Sequence, residues 1–189
     1  VVRSGCMAKD ADMILSEFIL LGIGGKELSE ENAAQTAKAL NIIQPDFIRV
    51  HATGIKLESK LGEFVRDGSF TLQSEEEIVI EQKLFLQQLH EMDSYYVNEH
   101  IVNLLLEVRG NLRTEKQEML STIDRFLTLP PDERLLFTVG RRLNIFFRLD
   151  DLKKPKLYQK AGESLQQILS KNPHVDFAAL CNYVRQSQI

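Results

Sequence analysis

Phe18-Ile19-Leu20-Leu21-Gly22-Ile23-Gly24-Gly25 is the stretch whose reading decides the fold. A short, nearly continuous apolar run bounded by glycines reads as a strand buried on both faces of a parallel sheet. Gly24-Gly25 end it in a tight loop. Ser29 stands where a helix N-cap belongs, with Glu30 and Glu31 in the first turn, where the helix dipole favours acids. Ala33, Ala34, Ala37 and Leu40 follow on one stripe, and Pro45 stops the helix. Phe47 to Ala52 reads as the next strand. Its period of two sends Ile48, Val50 and Ala52 one way, toward covering helices, and Phe47, Arg49 and His51 the other. Strand, helix, strand makes a βαβ unit with parallel strands.

Outward from this unit the pattern extends in both directions. Ala8 to Asp12 reads as the end of a helix. Residues 53–73 read as a long loop carrying Gly54, Gly62 and Gly68, a length that is often functional. Ser74 with Glu77 forms a capping box. The helix it starts runs to about Met92 and buries Ile78, Phe85, Leu89 and Met92. Ser94 to Val97 reads as a third strand, ending in the polar cluster Asn98-Glu99-His100-Ile101-Val102-Asn103. After Gly110 the pattern is helical only. Thr114 with Gln117 forms a second capping box, followed by Leu120, Ile123 and Leu127 at helical spacing. Beyond Pro130-Pro131, an amphipathic helix is expected from Leu135, Leu136, Val139, Leu143, Phe146 and Phe147, with Arg141, Arg142 and Arg148 on its wet side. Pro155 and Pro173 separate two more helices. The class is therefore α/β: βα units over 1–105 and a helical C-terminal extension over 106–189. Three parallel strands are too few for a barrel or a doubly wound sheet. The sheet is expected to continue upstream in the same polypeptide or in a partner.

Composition narrows the function classes. A net charge of −4 without a basic cluster argues against a nucleic-acid partner, because phosphate binding wants a basic face. No apolar run approaches ~18 residues, so no membrane span is expected. The first residues lack the pattern of a signal peptide. Cys6 and Cys181 are far apart and form no Cys-x2-Cys pair. They read as free thiols in a reducing cytoplasm and cannot hold an iron–sulfur cluster without other ligands. No metal site is read from the sequence.

Several of these segments, in order, resemble motifs of radical S-adenosylmethionine enzymes. Ser16 to Gly25, with the acidic turn and helix from Ser29 to Asn41, is similar to the fifth-strand motif of that superfamily. Pro45-Asp46-Phe47-Ile48-Arg49-Val50 resembles its next strand. Asn98 to Asn103 resembles a late signature of one branch loosely related to oxygen-independent coproporphyrinogen oxidase. The resemblance covers roughly residues 8–127. It implies the C-terminal part of a partial (β/α) barrel of six units, related to the TIM barrel, with S-adenosylmethionine across the C-terminal ends of the strands. A [4Fe–4S] cluster in the full-length parent would reduce that cofactor to a 5′-deoxyadenosyl radical, so the chemistry is the cofactor's and the protein places it. The resemblance puts Leu21, Gly22, Gly24 and Gly25 beside the adenine. Arg49 and His51 would line the lumen, and Asn98, His100 and Asn103 its mouth. An oxidoreductase parent, a small-molecule substrate and a missing N-terminal barrel half as partner follow from it.

The chain also departs from the family. The three cluster cysteines, spaced Cys-x3-Cys-x2-Cys, are absent, so no turnover is expected of this chain alone. Phe18 stands where the coproporphyrinogen-oxidase relatives carry an acid, and Asp12 where relatives carry glycine. Other readings stay open on the residues themselves. The glycines can serve only a strand-to-helix turn, or cradle a nucleotide phosphate. Arg49 can pair with a carboxylate, His51 can be a hydrogen-bonded core residue, and the Asn98–Asn103 cluster can be a network closing a strand end. His90 and His174 read as helix-surface residues. A non-catalytic α/β interaction module is the alternative to the enzyme half. On either reading, the exposed sheet edge is expected to make this chain on its own sticky or dimeric.

Overall fold

The computed structural model describes residues 1–188. In chain order the elements are α1 (Val2–Asp10), β1 (Ser16–Leu21), α2 (Ser29–Ile43), β2 (Phe47–Ala52), α3 (Lys60–Asp67), α4 (Glu75–Gln88), β3 (Tyr95–Val97), β4 (Gly110–Asn111), α5 (Lys116–Leu127), α6 (Pro131–Arg142), a 3-10 turn (Leu149–Lys153), α7 (Pro155–Lys171) and α8 (Phe177–Gln186). The strands form one open sheet in the order β1-β2-β3-β4. β1, β2 and β3 are parallel, as the βα pattern requires, and β4 runs antiparallel to β3. The short β4 lies beyond any sequence signal, because two residues show no period.

Helices cover one face of this sheet. Ile19 and Leu21 of β1 and Ile48, Val50 and Ala52 of β2 join Ala33, Ala37 and Leu40 of α2 and Ile78, Phe85 and Leu86 of α4 in a common core. Alanines at positions 33 and 37 let α2 approach closely, and each large side chain so buried contributes about 1.5–3 kcal/mol. The expected box starts α4. Glu77 N–H donates to Ser74 Oγ at 3.2 Å, and Ser74 N–H donates to Glu77 Oε2 at 2.7 Å.

Several sequence expectations are corrected. β1 is buried on one face only, since Phe18 and Leu20 are 64% and 46% exposed on the other. Its apolar run hides a period of two. The expected loop over 53–73 contains α3, capped by Ser59, whose Oγ accepts from Gly62 N–H at 3.1 Å. Ser29 is the first residue of α2 rather than its cap, and its hydroxyl donates to Glu81 instead. The Thr114–Gln117 box does not form. Asn111 organises that turn by accepting from Arg113 N–H at 2.9 Å, and Thr114 Oγ1 reaches back to the same oxygen. α4 ends at Gln88, although Leu89 and Met92 remain buried. His90 and His174 lie just outside helices, exposed.

The largest correction concerns the arginines of α6. Arg141 and Arg142 are buried, whereas Leu143 and Phe147 are exposed; Arg148 alone of the three is exposed. The helix stops at Arg142 and the chain reverses through Asn144, whose φ is 56°. At Gly140 a β-carbon would collide with the Phe146 ring, so the returning chain crosses where only glycine fits. Arg141 then donates to four carbonyls: Leu104 at 3.0 Å, Asn103 at 2.9 Å, Ile101 at 3.2 Å and Phe146 at 3.3 Å. Irregular buried backbone needs such donors. Burial, reinforced by Arg142 alongside, lowers the Arg141 pKa to about 10.

Arg142 makes a two-pronged pair with the buried carboxylate of Glu75, at 3.0 and 2.6 Å, and also donates to Val102 O at 2.9 Å. Arg185 of α8 holds the other side of Glu75 and donates to Thr53 O at 3.0 Å. Burial alone would raise the Glu75 pKa, but the two guanidiniums outweigh it and hold the carboxyl low. Asn182, one turn earlier on α8, pairs with both main-chain groups of Ile55 at 2.9 Å. The helical extension thereby grips the segments that leave β2 and β3. Removing one member of a buried ion triad strands the others. Glu75→Ala is expected to cost about 3–5 kcal/mol in urea unfolding. Arg113→Ala, which breaks the exposed pair with Asp93, is expected to cost at most about 1 kcal/mol.

Candidate functional site

The alternation of the strands builds a face that no helix covers. Ser16, Phe18 and Leu20 of β1 stand in register with Phe47, Arg49 and His51 of β2, and Phe47 and Arg49 with Tyr95 and Val97 of β3. Tyr95 is 40% exposed. The Arg49 guanidinium lies 5.9 Å from the ring centres of both Phe18 and Phe47, and its Nε donates to Ser16 Oγ at 3.0 Å. Cation–π contact and apolar rings hold it in place. No carboxylate pairs with it among the described residues. Arg49 and His51, which the family resemblance puts in the lumen, thus share one open face.

His100, in the turn after β3, stacks on His51 with ring centres 4.2 Å apart, and Phe18 meets His51 in a T-shaped contact at 5.4 Å. Burial lowers the His51 pKa, and the neighbouring His100 and Arg49 lower it further. Asn98 and Asn103 are not part of this face. Both are buried. Asn103 Nδ2 donates to Val50 O at 2.7 Å and to Asn98 Oδ1 at 2.6 Å, its Oδ1 accepts from Ala52 N–H at 2.7 Å, and Asn98 Nδ2 donates to Leu105 O at 2.6 Å. They close the end of β2 as a hydrogen-bond network. Of the six-residue cluster, His100 alone reaches the open face.

The glycine turn after β1 is occupied from within. The carboxylate of Glu81, on α4 and 0% exposed, accepts from Gly22 N–H at 3.2 Å, Asn32 Nδ2 at 2.7 Å and Ser29 Oγ at 3.1 Å. It therefore sits at the N-terminus of α2, where an anion is favoured. Gly22 and Gly25 have φ of 83° and 63°, and a β-carbon on Gly25 would lie 3.0 Å from Thr71 O. Leu21, Gly22 and Gly25 are buried, whereas Ile23 reaches the surface. These glycines serve the turn first. Leu20, Ile23 and Leu28 are exposed apolar residues at and just after the C-terminal end of β1.

Among the described residues no three His, Cys, Asp or Glu side chains converge as metal ligands. Cys181 is buried beside the Glu75 triad. Burial, with Glu75 nearby, pushes its thiol up to about 12, so it is inert. No helix among these residues is long and apolar enough to cross a membrane. Searches of family models, curated proteins and solved structures find no match to this chain.

Sequence reasoning missed Phe18 and Phe47 as partners of Arg49, and Glu81 as the occupant of the turn. A signal for Glu81 existed: an acid one turn after Ile78 and one before Phe85 lies on the buried stripe of α4.

His51 releases its proton more readily folded than unfolded. Between its lowered pKa and the ordinary value near 6.5 the unfolded state binds more protons, so its contribution to stability falls as pH drops through about 6.5. An NMR titration of the histidine rings is expected to find His51 titrating below that value, and to find it shifted upward in His100→Ala. A His51 titration unchanged in that variant contradicts the stacked pair.

Proposed function

We propose that this chain is the C-terminal half of a radical S-adenosylmethionine iron–sulfur enzyme, with its uncovered sheet face as one wall of the lumen. The observation that carries this reading is the one-sided sheet. Helices cover one face; the other bears aromatic, imidazole and guanidinium groups, and β1 stands at an unpaired edge. A complete α/β sheet has both faces covered. A barrel segment has helices outside and functional side chains inside. Asp12 adds support. It stands where relatives carry glycine, and its φ of 53° is the left-handed conformation glycine favours.

The cluster does not fit the residues of this chain. Cys6 and Cys181 are its two cysteines, and Cys181 is enclosed beside the Glu75 triad. The cluster belongs to the N-terminal half. S-adenosylmethionine fits better, because the exposed Leu20, Ile23 and Leu28 offer a planar base apolar contacts at and just after the C-terminal end of β1. This chain would seat the base, orient the substrate on the open face and exclude water; the parent enzyme would work in the cytoplasm. Glu81 counts against the nucleotide-binding reading, because its carboxylate already takes the donors at the glycine turn that a phosphate would need; the non-catalytic interaction module is the alternative that remains.

The two readings separate in the protein purified anaerobically from its native source. Iron in the purified protein, with formation of 5′-deoxyadenosine on reduction in the presence of S-adenosylmethionine, is expected for the enzyme. The 189-residue chain alone is expected to give neither. A native protein free of iron and unable to cleave the cofactor contradicts the enzyme reading.

A further inference from the structure

The uncovered face is electrostatically unlike the rest of the molecule. The chain carries a net charge of −4, yet this face holds Arg49, His51 and His100 and no acid. Glu17, the acid in β1, alternates to the covered side with Ile19 and Leu21. Glu99, next to His100, is drawn away to Arg109. The Nε of Arg49 is engaged by Ser16, while its two terminal nitrogens have no acceptor among the described residues. Phe18 and Phe47 flank it, so much of its water is replaced by rings that cannot accept a conventional hydrogen bond. Guanidinium is a planar fork that takes a pair of anionic oxygens bidentately. Beside it, the imidazoles of His51 and His100 stack on one another and add aromatic surface to the site.

We propose that this face binds a planar organic carboxylate, its anionic group clamped by Arg49 and its ring laid against Phe18 and the His51–His100 pair. One permanently charged group matches a monoanion, which favours a carboxylate over a phosphate dianion. The ligand's role as substrate rests on the barrel reading above; the binding itself does not. The site adjoins Leu20, which stands in register with His51, and requires no cofactor.

The test is an NMR titration of the full 189-residue chain with three probes of the same shape: naphthoate, naphthylmethanol and naphthyl phosphate. Naphthoate is expected to shift the Arg49, His51 and His100 resonances and to bind at least tenfold more tightly than the neutral alcohol. Arg49→Gln is expected to abolish that preference, and Arg49→Lys to keep part of it, with circular dichroism showing both variants folded. Equal binding of acid and alcohol overturns the proposal. So does a naphthoate affinity unchanged in folded Arg49→Gln, or the absence of shifts at these residues. Tenfold tighter binding of the phosphate overturns the choice of a carboxylate. None of these readouts involves iron or S-adenosylmethionine. A chain that binds naphthoate through Arg49 while the native protein lacks iron keeps this inference and removes the enzyme; the reverse pair of results removes this ligand and keeps the enzyme.

Discussion

Glu75, a buried carboxylate held between Arg142 and Arg185, is the constraint on which the rest of the structure depends. It opens α4, the helix that covers the sheet. Its two partners come from α6 and α8, two helices of the helical extension. Burying three charges is expensive unless every polar atom is answered. Here Arg142 Nη2 and Arg185 Nε also donate to the carbonyls of Val102 and Thr53, which lie beyond β3 and β2. The ion triad thus fixes the two segments where parallel strands emerge. Arg141 and Asn182 extend the same grip to residues 101–104 and to Ile55.

With the strand ends fixed in this way, the uncovered face becomes a defined surface rather than a frayed one. His100 is carried by the turn that Asn98, Asn103 and Arg141 hold, and this brings it onto His51. Arg49 is positioned by Ser16 from the neighbouring strand and by two phenylalanine rings. The structure therefore uses its charges in two ways. Those at the base of the helical extension are buried, engaged by Glu75 and by main-chain carbonyls, and structural. Those on the open face are left without anionic partners, which is the arrangement a ligand or the remainder of a barrel completes.

What could be read in the sequence followed from period and punctuation. The period of two in Phe47–Ala52 separated Arg49 and His51 from Ile48 and Val50, and the structure places them so. The Ser74–Glu77 box located α4 because capping is a local interaction. Local signals failed where tertiary contacts decide. Phe18 and Leu20 looked buried because an apolar run cannot say whether a second layer exists to cover it. Arg141 and Arg142 looked solvated because the carboxylate and most of the carbonyls that receive them come from residues 75 and 101–104, remote in sequence. The position of Glu81 on the buried stripe of α4 hinted at a partner, but the glycine turn as that partner could not be read, because 59 residues separate Glu81 from Gly22.

The proposal that the open face is the inner wall of a barrel requires a further half of the same polypeptide to complete it. The intact mass of the protein from its native source tests this most directly. The account expects a mass roughly twice that of these 189 residues, enough for the strands that would pair with the free edge of β1. A mass matching these residues alone would contradict it and leave an interaction module with an exposed face.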